Sequence, residues 1–222
     1  PNLGFDKNYF SEVLTSGEMI WQDLYNKSED YIKKLGHKCY HLADKTKEDG
    51  LKYVDGLNYD FVENIEDADF ILGCTTSPGL RTLDYVPLLE RAIKKNIPFI
   101  CANPDYETIE NNSDEINICM GTIAQLYKSL GGEIFILGKP EIDIYIESTK
   151  KIKKLNKSKV LAIGDSIYHD IQGANLFGVD SLFITSGVHQ SSFNNRPKWK
   201  SNINKINNLG ILPTFLCSKF QI

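Results

Sequence analysis

Two short stretches carry the side chains best placed to do chemistry. Gly138-Lys139-Pro140 follows the apolar run Ile134 to Leu137, and Gly164-Asp165-Ser166-Ile167-Tyr168-His169-Asp170 follows Val160-Leu161-Ala162-Ile163. In an open parallel sheet, ligands bind beyond the carboxyl ends of the strands, so residues just after a strand face the mouth. A strand ending at Ile163 delivers Asp165 there, and the step to Asp170 returns a second carboxylate near the start of the next helix. Two hard oxygen donors with positions left for water and phosphate suit Mg2+. Each residue also has a plainer reading. A lone lysine is usually a solvated surface group, and Asp165 or Ser166 can cap a helix while Asp170 favours its positive end. A lysine on one strand end and two aspartates on the next tilt the balance, because together they can hold a cation and offset phosphoryl charge.

The elements that must position these groups alternate along the chain. Thr15-Ser16-Gly17 can cap a helix with Ile20, Leu24, Ile32 and Leu35 near one face, closed by Gly36. Strands are expected at 39–42, 69–74, 98–102, 134–137, 160–163 and 182–185, with helices near 83–93, 121–130, 141–155 and 168–177. Pro140 fits the first turn of the helix after it. Strands separated by helices call for a parallel sheet with right-handed crossovers, hence a doubly wound α/β fold. The stretch 44–67 is acidic and weakly patterned, and 110–114 reads as a polar loop. The tail beyond Ser191 holds an expected helix near 201–208 and a last apolar piece at 214–217. Composition shifts near Gly36 and Gly131, which marks 36–131 as an insert within a frame made of 1–35 and 132–222.

With 222 residues, 41% of them hydrophobic and 24% charged, the chain is long enough for a buried core, and disordered and fibrous classes are excluded. No apolar run approaches the ~18 residues of a membrane span. Nothing at Pro1 reads as a signal peptide. Acidic and basic residues (29 and 25, net charge -4) are spread evenly, so no footprint for nucleic acid appears. The cysteines (Cys39, Cys74, Cys101, Cys119, Cys217) have no CxxC or metal-ligand spacing, and a reducing cytoplasm is the expected home. The four histidines show no triad spacing, though His169 lies inside the aspartate loop. Trp21 and Trp199 read as core or interface aromatics. No GxGxxG follows a strand, which ranks a nucleotide-dependent oxidoreductase well behind.

The order of these pieces resembles the haloacid dehalogenase superfamily. Gly138-Lys139-Pro140 looks like its third motif, and Gly164-Asp165 through Asp170, with Gly173-Ala174, looks like its fourth. Thr185-Ser186-Gly187-Val188 resembles the segment after the fourth motif in the class IIA, sugar-phosphatase-like subgroup with a large α/β cap of the second type. Phe99-Ile100-Cys101-Ala102-Asn103-Pro104-Asp105 looks like the turn in that cap. The resemblance implies a Rossmann-like core with an inserted α/β cap, and a Mg2+-dependent phosphatase for a small phosphorylated metabolite, with a homodimer possible. It further implies Asp165 as metal ligand, Asp170 completing or orienting the site, and Lys139 offsetting phosphoryl charge. Ser166 would shape the loop, and Asn103 and Asp105 would meet substrate from the cap.

The family's nucleophile, an Asp-x-Asp-Gly motif after an apolar strand, does not occur in these residues. Tyr53-Val54-Asp55-Gly56 and Lys47-Glu48-Asp49-Gly50 lack its first aspartate and read as Asp-Gly turns. The motif and its strand are therefore expected upstream of Pro1. A chain that natively lacked them would instead be a non-catalytic binding module.

Overall fold

The computed structural model describes residues 6–27, 29–109, 116–190, 193, 204 and 206–219. Its larger sheet is wholly parallel, in the order β2-β1-β3-β4-β7. These strands are β1 (Lys38–Leu42), β2 (Asp60–Phe61), β3 (Phe70–Gly73), β4 (Phe99–Cys101) and β7 (Ile134–Ile136). Between β4 and β7 lies an antiparallel hairpin, β5 (Glu107–Ile109) and β6 (Ile116–Ile118). A smaller parallel sheet has the order β10-β9-β8, formed by β8 (Leu161–Gly164), β9 (Asp180–Ile184) and β10 (Phe215–Cys217).

Strand side chains alternate between faces, and the larger sheet uses this to fill two cores. Ile71, Phe99 and Cys101 pack with Leu89 and Ala92 of α4 (Val86–Lys94) and with Ile123, Ala124 and Tyr127 of α5 (Met120–Ser129). Phe70, Leu72 and Ile100 face the other way, onto Ile20 and Leu24 of α1 (Ser16–Asn26) and Ile32 of α2 (Asp30–Lys33). Burial on both faces is why these strands read as continuous apolar runs. Phe99 is fully buried, so Phe99→Ala is expected to cost ~3–5 kcal/mol, read as a lowered urea midpoint at unchanged slope.

Helix α1 starts as its sequence implies, with the Thr15 hydroxyl accepting the Glu18 N–H at 3.0 Å. The single helix expected from Thr15 to Gly36 is broken at Lys27, whose left-handed backbone (φ 49°) ends α1 before α2 begins. The weakly patterned stretch 44–67 holds α3 (Glu48–Lys52) and β2. The helix expected over 141–155 is α6 (Ile142–Thr149), and Pro140 lies in the preceding turn, which the Glu141 N–H closes onto the Gly138 carbonyl. The helix expected over 168–177 opens as a π-turn (Ile167–Ile171) and continues as α7 (Gln172–Phe177). The loop 110–114, Trp199 and half of the tail helix expected over 201–208 lie outside the described residues, and 204 and 206–208 are helical.

Strand pairing also corrects the expected grouping. Residues 134–136 belong to a strand as expected, but that strand bonds to β4 of the larger sheet, in register Phe99 with Ile134 and Cys101 with Ile136. Helix α1 likewise packs on that sheet rather than on the smaller one. An apolar run reveals a strand without revealing its neighbour.

The smaller sheet is covered unevenly. Ala162 packs with Ala174 and Phe177 of α7, and Phe183 packs with Ile167 and Ile171. On the opposite face, Leu161 and Ile163 of β8 and Phe215 of β10 are 45%, 47% and 53% exposed. Strand β8 is also an edge strand among the described residues.

Candidate active site

The carboxyl ends of β7 and β8 bring the two sequence motifs together. Lys139, in the turn after β7, donates from Nζ to Asp170 Oδ1 at 2.7 Å. Asp170 Oδ2 accepts the N–H groups of Asp165 and Ser166, both at 3.0 Å. Its own carbonyl accepts the Tyr145 hydroxyl from α6 at 3.1 Å. One buried carboxylate thus ties the lysine, the loop after β8 and the π-turn into a single unit.

Asp165 stands on the other side of this loop. Its Oδ2 accepts the Val188 N–H at 3.0 Å, which anchors the 164–170 loop to the segment after β9. Two glycines make the packing possible. A Cβ at Gly164 would run into the Asp170 carboxyl, and one at Gly187 would run into that of Asp165. Ser166 Oγ lies 2.9 Å from His169 Nδ1, and the His169 ring stacks at a tilt on Tyr106, with centroids 4.7 Å apart.

Lys139, Asp165, Ser166 and Asp170 line one cavity of about 310 Å³, together with Asp105. Of the residues singled out in the sequence, Asn103 stands apart and lines the adjoining cavity. Tyr106, Glu107, Thr108 and His189 also reach the Asp165 cavity, and sequence reasoning assigned them no role there. The first three belong to or precede the β5–β6 hairpin, whose polar sequence gives little strand signal. His169 does have a partner, Ser166, three residues before it, a spacing that a helical turn makes a contact.

Electrostatics follow from this packing. Burial pushes the Lys139 ammonium down, but the Asp170 charge and hydrogen bond, with Asp105 and Asp165 behind them, outweigh it and leave the group above its ordinary value. Lys139 is therefore a fixed positive charge at neutral pH. Burial, and then the Asp170 charge, push the Tyr145 phenol up to about 12. Burial lowers His169, His189 and His41 below the ordinary 6.5. The unfolded chain binds those protons first, so stability is full above that value and falls as pH drops through it toward the lowered native values. A thermal melt series is expected to show the midpoint falling between about pH 7 and pH 5, and a flat profile there would contradict neutral burial.

The cation that the sequence resemblance implies fits the donor set in part. Asp170 has three hydrogen bonds on its two oxygens and serves as a brace. Asp165 has one oxygen held by Val188 and is a hard-oxygen donor lining the cavity. No group of three potential ligands occurs among the described residues. This suits an ion that takes one or two carboxylates and keeps its remaining positions for water and phosphate.

Comparison with known proteins agrees with this geometry. A model of the haloacid dehalogenase-like hydrolase family matches residues 136–209, which include both motifs. A haloacid dehalogenase-like hydrolase from Brucella suis 1330 is 31% identical, with TM-score 0.72, over 86% of this chain and 70% of that one. A possible sugar phosphatase from Cytophaga hutchinsonii ATCC 33406 is similar at 21% identity and TM-score 0.68, over 94% and 72%. A glycerol phosphate phosphatase from Mycobacterium tuberculosis, solved in complex with magnesium, is 18% identical with TM-score 0.57, over 92% of this chain and 55% of that one. No curated protein matches the sequence. The chain belongs to the haloacid dehalogenase-like hydrolase family, with a Rossmann-like parallel core and an α/β cap. No helix among the described residues is long and apolar enough to cross a membrane.

Proposed function

We propose that the chain forms the cap and much of the core of a Mg2+-dependent phosphatase acting on a small phosphorylated metabolite in the cytoplasm. The observation that carries this reading is the convergence of Lys139, Asp170 and Asp165 on one cavity at the strand ends. Residues up to Leu137, including β7, would serve as the cap, and the smaller sheet as the core. Mg2+ bound at Asp165 would neutralise phosphoryl charge. Lys139 offsets the charge of the phosphoryl group and of the attacking carboxylate, and Asp170 holds Lys139 and the loop amides in place. Asp105 and Asn103 meet the leaving group from the cap side.

The reaction needs a carboxylate nucleophile. An aspartate oxygen attacks phosphorus and the bond to the leaving oxygen breaks. A second aspartate protonates that oxygen, and water then hydrolyses the aspartyl-phosphate. The exposed face and open edge of β8 support a place for this aspartate. Parallel sheets are normally covered on both faces, and long apolar edges are normally paired. A further parallel strand beside β8, carrying Asp-x-Asp-Gly, would stand next to Asp165. The coding frame upstream of Pro1 tests this. An apolar run with that motif, together with Mg2+-dependent hydrolysis of p-nitrophenyl phosphate by the corresponding protein, is the expected result. A frame without the motif and a protein without turnover would favour a non-catalytic phosphate-binding module.

A further inference from the structure

The larger sheet has a mouth of its own. Its strand order, β2-β1-β3-β4-β7, reverses between β1 and β3, and open α/β sheets form a ligand crevice beyond the carboxyl ends at such a reversal. A cavity of about 520 Å³ lies at these ends, bounded by residues 75–82 after β3, by Asn103 after β4 and by Asn117 on β6. Asp105 and Thr108 line both this cavity and the one at Asp165, so the two adjoin.

The walls restrict what could bind. Among the described residues no aromatic ring lines the crevice, so a nucleobase has no stacking platform there. Hydroxyls and amides dominate instead. Thr75 Oγ1 accepts the Asp44 N–H and Thr76 Oγ1 donates to the Ile118 carbonyl, each using one of the three hydrogen-bonding positions of a hydroxyl. Arg81 stands on the wall with its side chain 85% exposed, in a solvent-facing ion pair with Asp84 through Nε (3.6 Å) that leaves the guanidinium edge open, and Lys47 lines the same crevice. A planar guanidinium matches a carboxylate in fork geometry. Asp105, between the two cavities, accepts from a hydroxyl and repels an anion placed at the junction.

We propose that this crevice holds the leaving group of the substrate, and that the leaving group is an aliphatic hydroxy acid with its carboxylate at Arg81. The inference rests on the phosphatase reading, which puts the phosphoryl group at Lys139 and Asp165. The substrate is then a phosphorylated hydroxy acid, with one anion in each cavity and hydroxyls between them.

Titration calorimetry in the presence of Mg2+ tests it without requiring turnover. The two probes, phosphoglycerate and glycerol phosphate, share a skeleton and differ in a terminal carboxylate or alcohol. Phosphoglycerate is expected to bind the chain about tenfold more tightly. Arg81→Gln is expected to bring the two to parity, and Lys139→Met to weaken both. A thermal melt of Arg81→Gln reports its fold. Equal affinity for both probes, or a preference that survives in folded Arg81→Gln, overturns the inference and leaves the phosphatase reading standing. Binding of neither probe removes the phosphoryl site and the inference with it.

Discussion

In the full-length protein that carries the nucleophile strand, Asp165→Asn is expected to abolish Mg2+-dependent hydrolysis of p-nitrophenyl phosphate while leaving the protein folded. The substitution keeps the size of the side chain and an oxygen for the Val188 N–H, so the loop retains its anchor. It removes the negative charge that a hard divalent cation needs, and in this loop Asp170 cannot replace it, because its oxygens already serve Lys139 and two amides. A fall of more than ~10²-fold in kcat with a thermal midpoint near that of the parent protein is the predicted pair of results. Undiminished turnover would remove Asp165 from the cation site.

Asp170→Ala should behave differently, lowering stability as well as turnover. It leaves the N–H groups of Asp165 and Ser166 without their acceptor and Lys139 without its counter-ion. Each orphaned, part-buried donor costs ~1–3 kcal/mol, and the Lys139 side chain is 43% exposed and can turn to water, so the two amides set a loss of about 2–6 kcal/mol. Turnover should fall by at least ~10²-fold, since the lysine and the Asp165 loop lose their common brace. Lys139→Met separates the two effects. It should remove the charge facing the phosphoryl group with a smaller loss of stability, because the amide bonds to Asp170 Oδ2 remain.

The convergence of the candidate site residues was legible in the sequence where residue type and strand-end position coincided. Lys139, Asp165 and Asp170 each come soon after an apolar run, and few chemistries use that combination. What the sequence hid was the manner of their meeting. Three hydrogen bonds make Asp170 a brace, and the π-turn at Ile167–Ile171 that aims it has no compositional mark. Tyr106, Glu107 and Thr108 were missed because the antiparallel hairpin that carries them borders a polar stretch without alternation. The run Ile134 to Ile136 showed a strand clearly. Its pairing with β4 depends on tertiary packing that local periodicity does not encode.

The exposed face of the smaller sheet connects fold to function. Leu161, Ile163 and Phe215 lie on one side of β8 and β10, where a doubly wound sheet would normally carry helices, and among the described residues β8 offers an open edge. A strand bearing the nucleophile would cover apolar surface and border the cavity at Asp165 in the same step. Stability and activity are then expected to be gained together when such a strand is present.

The central claim is that a cation site centres on Asp165 and is organised by Asp170. Amide proton–nitrogen correlation spectra recorded as Mg2+ is titrated into the chain test it most directly. Shifts concentrated at residues 164–170 and 187–189, and lost in Asp165→Asn, are the predicted result. Shifts centred instead on the acidic stretch 44–67, or a pattern unchanged in Asp165→Asn, would contradict it.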